Sequence, residues 1–142
     1  MEVRQLNHTV YRLQYHVVWI TKYRLKLLNP GLQNHLTKLI RQEAKSMPGL
    51  EIQELNVQRD HIHMMMVIPP KYAISDVIGR LKGKSSRVFR NRYRLFKNVY
   101  GENEVMWSTG YFVSTVGIDE HVIRNYIKYQ EKLDSGQALL DL

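Results

Sequence analysis

In the stretch Asp60-His61-Ile62-His63-Met64-Met65-Met66-Val67-Ile68, two histidines alternate with apolar residues. Successive side chains of a β-strand point to opposite faces, so His61, His63, Met65 and Val67 share one face and Ile62, Met64, Met66 and Ile68 the other. The two imidazoles then stand side by side with Cα atoms roughly 6.7 Å apart, from which both rings can reach one metal ion about 2 Å from each nitrogen. An isolated His-x-His is more often a strand whose rings are satisfied by hydrogen bonds, so the motif needs support from the rest of the chain. A second pair lies near the C-terminus. Tyr126 and Gln130 are four residues apart, about one turn along a helix face, which sets a phenol beside an amide oxygen. Gln130 is thus a candidate third ligand for a metal on His61 and His63, with Tyr126 in reach of a substrate on that metal. The plainer alternative is that Tyr126 packs with Val122, Ile123 and Ile127; the helix alone does not separate Tyr126 from Tyr129.

The strands and helices that carry these residues are legible in the periodicity. Residues 10 to 20 are rich in β-branched and aromatic types and alternate through Tyr11, Leu13, Tyr15 and Val17, predicting a long strand. Asn29-Pro30 reads as an N-cap with proline at the first helical position. Leu32, Leu36, Leu39, Ile40 and Ala44 follow at helical spacing until Pro48-Gly49. Residues 50 to 58 alternate with one slip and turn at Arg59-Asp60 into the His-x-His strand, a hairpin ended by Pro69-Pro70. Ser75-Asp76 is a cap candidate for a second long helix with Ile74, Val77, Ile78, Leu81, Val88 and Phe89 inside. A fourth strand is expected over residues 105 to 117, with Gly110 marking a bulge, and Asp119 caps a last helix ended by Ser135-Gly136. The order β-α-β-β-α-β-α predicts an α+β, ferredoxin-like (βαββαβ) antiparallel sheet with an additional C-terminal helix at about 119–134. No repeat or linker divides residues 1–142, so a single domain is expected.

Composition narrows the chemistry. The absence of cysteine excludes disulfides, thiolate metal sites and cysteine nucleophiles, so any metal is held by His, carboxylate or amide groups. No apolar run approaches the ~20 residues needed to cross a bilayer, and the N-terminus lacks the apolar core of a signal peptide, so a cytoplasmic protein without a membrane partner is expected. A net charge of +8 points to a polyanionic partner, of which nucleic acid is the commonest. Nine lysines and arginines fall between residues 71 and 97 with Asp76 as the only acid, whereas ordinary exposed helices mix both signs. Arg80, Lys82, Lys84, Ser85, Ser86, Arg87 and Arg90 are the candidate phosphate-binding residues. Gly79 and Gly83 are compatible with close backbone approach near Ser85-Ser86. Phe89, Tyr93, Phe96 and Tyr100 read as core rather than base-stacking residues.

Taken together the chain resembles the single-tyrosine HUH transposases of the insertion sequence 200/605 type and the related transposases associated with repetitive extragenic palindromes. The resemblance rests on Tyr11 to Trp19 and Thr21-Lys22-Tyr23-Arg24, on Asp60-His61-Ile62-His63, on Leu81-Lys82-Gly83-Lys84-Ser85-Ser86, and on Tyr111 to Gly117 and Tyr126-Ile127-Lys128-Tyr129-Gln130. It implies that His61 and His63 are the HUH pair, that Gln130 is a metal ligand, and that Tyr126 rather than Tyr129 is the nucleophile. It further implies a divalent ion, Mg²⁺ or Mn²⁺, and single-stranded DNA with a hairpin at transposon ends as substrate. Cleavage would run through a 5′-phosphotyrosine, the protein being nucleoid-associated when bound to DNA. Family members are homodimers in which the tyrosine helix can complete the partner's site. Two other readings stand beside this one. A non-catalytic single-stranded nucleic-acid-binding module of the same fold leaves His61, His63 and Gln130 unexplained. A nuclease of the replication-initiator or relaxase kind usually arranges its histidines and tyrosines differently.

Overall fold

The computed structural model describes residues 3–6, 9–11, 13–102, 104–115 and 118–136. In chain order the elements are β1 (Arg4–Leu6), β2 (Thr9–Tyr11), β3 (Gln14–Ile20), a 3₁₀ turn (Lys22–Arg24), α1 (Pro30–Ala44), β4 (Glu51–Val57), β5 (His61–Val67), α2 (Ile74–Arg92), α3 (Arg94–Tyr100), β6 (Phe112–Ser114) and α4 (Glu120–Asp134). Strands β4, β5, β3 and β6 lie in that order in one antiparallel sheet. With α1 between β3 and β4 and α2 between β5 and β6, this is the expected ferredoxin-like arrangement, and α4 is the appended helix.

Local chemistry accounts for most boundaries. The Asn29 side chain accepts a hydrogen bond from the Leu32 amide at 2.9 Å, and Pro30 opens α1. Asp119 caps α4 in the same way through the Val122 amide at 3.0 Å. The slip expected in the first hairpin strand is a register shift between Ile52 and Glu54 on β4.

Three expectations change. The strand expected over residues 10 to 20 is split: β2 pairs with β1 in a hairpin of its own, and β3 alone joins the sheet, with Arg12 outside the described residues. The second long helix starts at Ile74 after Ala73, without a side-chain cap from Ser75 or Asp76, and breaks at Tyr93 into α2 and α3. Tyr93 adopts an extended conformation (φ −118°, ψ 110°) and packs its ring edge-on against His35, Phe89 and Phe96. That aromatic packing offsets the helical hydrogen bonds given up at the break.

The third change is the strand expected over 105 to 117, which is reduced to Phe112–Ser114 plus one bridge between Thr21 and Trp107; Val116 and Gly117 lie outside the described residues. Met106 and Trp107 are buried under α2, where Trp107 meets Trp19 edge-on at 5.9 Å. The Trp107 indole N–H donates to the Ser85 hydroxyl at 2.9 Å, and the Met106 amide donates to the Ser86 hydroxyl at 3.1 Å. Anchored to a helix instead of a neighbouring strand, the segment re-enters the sheet only after Gly110, whose φ of +91° favours glycine.

The sheet has two unlike faces. Val17, Trp19, Ile62, Met64 and Met66 form a core with residues of α1 and α2, including Leu36, Ile40, Ile78, Leu81 and Phe89. On the opposite face Val18 and Ile20 pack against Ile123 and Ile127 of α4. Among the described residues no helix is long and apolar enough to cross a membrane.

Replacing Ser85 by Ala removes the acceptor of a buried indole N–H. It is expected to lower stability by about 1–3 kcal/mol, measured by urea unfolding followed through tryptophan fluorescence.

Candidate metal and nucleophile site

The register of β5 decides where the histidines point. His63 stands opposite Val18 and His61 opposite Ile20, so both imidazoles emerge on the α4 face, as the alternation predicts. They line a cleft of about 320 Å³ together with Asn56, Gln58, Glu120 and Ile123. The first turn of α4 therefore brings a carboxylate to the histidine pair.

Each ring has a distinct environment. The His61 Nδ1 lies 2.8 Å from Asp60 Oδ1, so with an ionised Asp60 that nitrogen donates and the Nε2 lone pair is left to act as a ligand. The other Asp60 oxygen accepts from Arg24 Nε at 3.1 Å. Burial pushes the Asp60 carboxyl up, but the bonds from His61 and Arg24 outweigh it and hold the group below the usual carboxylate range. His63 Nε2 is buried without a hydrogen-bond partner. Burial and then the neighbouring His16 lower the His63 pKa, favouring the neutral ring that a metal requires. His16 stacks on His63 with centroids 5.8 Å apart, and its own Nδ1 is also buried and unpartnered. An orphaned imidazole nitrogen beside one oriented by a carboxylate, with carboxylate and amide oxygens nearby, fits a divalent ion taking mixed nitrogen and oxygen ligands. The fit is partial: among the described residues no group of three or more His, Cys, Asp or Glu is placed to hold a metal.

Tyr126 and Gln130 are not in this cleft. The Tyr126 ring lies against Phe112 at 5.8 Å and lines a second hollow of about 490 Å³ with Tyr111, Phe112, Val122, Asn125 and Tyr129. Its hydroxyl is buried and makes no hydrogen bond, whereas Tyr129 is exposed. Burial, and then the charge of Asp134, push the Tyr126 pKa well above the ordinary phenol value. Gln130 is buried, and its amide nitrogen donates to the Thr109 carbonyl at 2.9 Å. The end of α4 is further held by Asp134, which accepts from the Tyr23 amide at 2.9 Å and from the Ser108 hydroxyl, and by Glu131, which accepts from Arg24 Nη1 at 3.1 Å.

The residues proposed from the basic run are spread among several roles. Ser85 and Ser86 are buried and bonded to Trp107 and Met106. Lys82 donates to the Ser108 and Gly110 carbonyls at 2.8 and 2.6 Å, and burial pushes its ammonium down to about 8. Arg80 reaches Glu43 and Ser46, and Arg90 donates to the Glu104 carbonyl. Arg87 is exposed and Lys84 half-buried. Arg92, Arg94 and Lys97, counted in the basic run but not singled out as DNA-binding residues, line a cleft of about 440 Å³ with Arg90, Asn91, Asn98 and Glu102. His16 was missed too, because only the pairing of β3 with β5 brings it to His63.

The sequence profile of the family described as transposase, IS200-like, matches residues 9–130. The chain belongs to that transposase family. It is 34% identical over 137 residues to the transposase for insertion sequence element IS200 of Salmonella typhimurium, covering 96% of this chain and 89% of the relative. It is 32% identical over 132 residues to the ISDra2 transposase TnpA of Deinococcus radiodurans, covering 92% of each. A crystal structure of a candidate transposase from Deinococcus radiodurans superposes with a TM-score of 0.76 at 30% identity over 89% of this chain and 97% of that one. The same fold recurs in a REP-associated tyrosine transposase bound to a REP hairpin, at a TM-score of 0.52 and 16% identity over 87% of this chain and 68% of that one.

In this IS200-like transposase the buried Tyr126 hydroxyl keeps its proton where an exposed phenol, near 10.0, would lose it. Above pH 10 the unfolded chain releases this proton first, so rising pH favours unfolding. The Tyr126→Phe variant is expected to lose stability less steeply than wild type above pH 10, measured as midpoint against pH in denaturant unfolding.

Proposed function

We propose that the chain cuts and rejoins single-stranded DNA at hairpin-bearing transposon ends. Tyr126 is the nucleophile, and His61 and His63 hold a divalent ion, Mg²⁺ or Mn²⁺, with Gln130 as a further ligand. The observation that carries this reading is the histidine pair itself: His61 turned by Asp60 and His63 with an orphaned buried Nε2, in a chain of this transposase family. When bound, the ion would offset charge on the phosphate oxygens and orient the phosphorus for in-line attack. The Tyr126 oxygen forms a bond to phosphorus while the bond from phosphorus to the 3′ oxygen breaks. The product is a 5′-phosphotyrosine and a free 3′-hydroxyl, the phenolic proton passing by way of a base to the leaving 3′ oxygen. Attack by another 3′-hydroxyl reverses the step, so strands are rejoined without ATP.

Because Tyr126 and Gln130 lie outside the histidine cleft of their own chain, this chemistry requires α4 to move. We assign that movement to a homodimer in which α4 of one protomer completes the histidine site of the other. Moving α4 would release the Tyr126 hydroxyl from a place where it is desolvated and unbonded, which favours the exchange. The DNA backbone is assigned to the cationic surface of α2 and α3, through Arg80, Lys84, Arg87 and Arg90 together with Arg92, Arg94 and Lys97. A hairpin ligand accords with the REP hairpin bound by a transposase of the same fold.

The test is incubation with labelled single-stranded DNA from the element's own end, with Mn²⁺ or with EDTA, on a denaturing gel. A covalent protein–DNA band is expected that needs the metal and disappears with Tyr126→Phe. Binding with no such band would favour a DNA-binding protein without the chemistry. Replacing both Arg92 and Arg94 by Ala is expected to weaken DNA binding and to flatten its dependence on salt, by a slope of roughly 0.7 for each phosphate of a single strand that is no longer neutralised.

A further inference from the structure

Asp60 is an unusual residue to bury. Its side chain is 10% exposed, immediately before β5, and a carboxylate there is costly unless fully partnered. Its two oxygens are divided between two donors: Oδ1 takes His61 Nδ1 at 2.8 Å and Oδ2 takes Arg24 Nε at 3.1 Å. The backbone around it is pinned as well, since the Asp60 carbonyl accepts from the Thr21 amide at 2.9 Å and the Arg59 carbonyl from the Leu28 amide at 3.1 Å. Arg24 and the preceding Tyr23, in the turn that carries this guanidinium, both have positive φ, of 54° and 60°. Such residues outside glycine cost of order 1 kcal/mol or more each and persist where surrounding contacts demand them.

We propose that Asp60 is the positioning residue of the metal site, and that Arg24 acts through it. By accepting the Nδ1 proton, the carboxylate keeps His61 in the tautomer whose Nε2 lone pair faces the cleft, and fixes the plane of the ring. Arg24 holds the carboxylate itself in place by occupying its second oxygen. A neutral imidazole released from such a partner would exchange between tautomers and rotate, so the pair His61 and His63 would no longer be set before an ion arrives. The same guanidinium also binds Glu131 on α4, so the support of the metal ligand touches the helix that carries Tyr126.

This inference rests on the metal reading above, and the experiment separates the two. Long-range proton–nitrogen NMR of the imidazoles in the metal-free protein reports the His61 tautomer directly. Wild type is expected to carry its proton on Nδ1, and Asp60→Ala to move it toward Nε2; an unchanged tautomer overturns the proposal. Calorimetry with Mn²⁺ alone is expected to show affinity falling about 10- to 100-fold in Asp60→Ala, the range seen when a ligand's supporting group is removed. Arg24→Gln should lose less, and the double variant should bind no more weakly than Asp60→Ala, because both act on one bond. Additive losses would overturn the role of Arg24. Should Asp60→Ala fail to fold, Asp60→Leu replaces it with a side chain of similar size that has no acceptor, and wild-type Mn²⁺ affinity in that variant overturns the proposal. A wild-type protein whose Mn²⁺ affinity does not change in His63→Ala would instead overturn the metal reading, leaving the tautomer result to stand by itself.

Discussion

The site depends on β5 being held in a single register between β3 and β4. Because side chains alternate with a period of two, a slip of one residue would turn His61 and His63 into the core beneath α1 and α2 and expose Ile62, Met64 and Met66. Burying two imidazoles without partners costs several kcal/mol, and the apolar residues would lose their burial as well, so the alternatives are strongly disfavoured. The register shift that the first hairpin strand contains falls between Ile52 and Glu54 on β4, at the edge of the sheet, while the pairing of β5 with β3 runs unbroken from Gln14 opposite Val67 to Ile20 opposite His61. The irregularity is thus kept away from the strand pair that sets the geometry of the histidines.

The placement of α4 follows a different logic. Its inner residues Ile123 and Ile127 cover Val18 and Ile20, but its last turns are held by polar contacts to segments distant in sequence: Gln130 to Thr109, Asp134 to Tyr23 and Ser108, Glu131 to Arg24. The segment Ser108 to Gly110 is where these meet, because Lys82 from α2 donates to the Ser108 and Gly110 carbonyls from the other side. An apolar patch of two isoleucines and a set of polar anchors hold a helix less firmly than a continuous core does. In this position Tyr126 carries an unsatisfied buried hydroxyl, the kind of defect that costs about 1–3 kcal/mol. The docked helix is therefore not at an optimum for the residue that the chemistry would need.

The basic run shows how one charge pattern divides into structural and surface roles once packing is known. Lysine and serine in the stretch Lys82 to Ser86 are close in sequence to exposed Arg87, yet Lys82, Ser85 and Ser86 tie α2 to the segment that carries Trp107. Arg92, Arg94 and Lys97, further along the run, line a cleft with Arg90 on either side of the point where the chain leaves the helix at Tyr93. The reason for that break is the cluster of His35, Phe89, Tyr93 and Phe96, which draws on α1 as well as on both halves of the basic segment.

Alternation, helical spacing, caps and charge are properties of neighbours along the chain, and they make much of this protein legible in its sequence. The shared face of His61 and His63, the bulged hairpin and the ferredoxin-like order of elements follow from periods of two and 3.6 residues, and the caps at Asn29 and Asp119 from short side chains that accept from backbone amides. What depends on residues far apart is not legible that way. The stacking of His16 on His63, the break at Tyr93, the shortening of β6 by the burial of Trp107, the capture of Arg24 by Asp60 and Glu131, and the separation of Gln130 from the histidine cleft each require a partner from a distant part of the chain. Which residue types share a face is set by the order of amino acids alone, because sterics between neighbours suffice for that. Which faces meet is set in the folded molecule, because the packing of the whole core settles it.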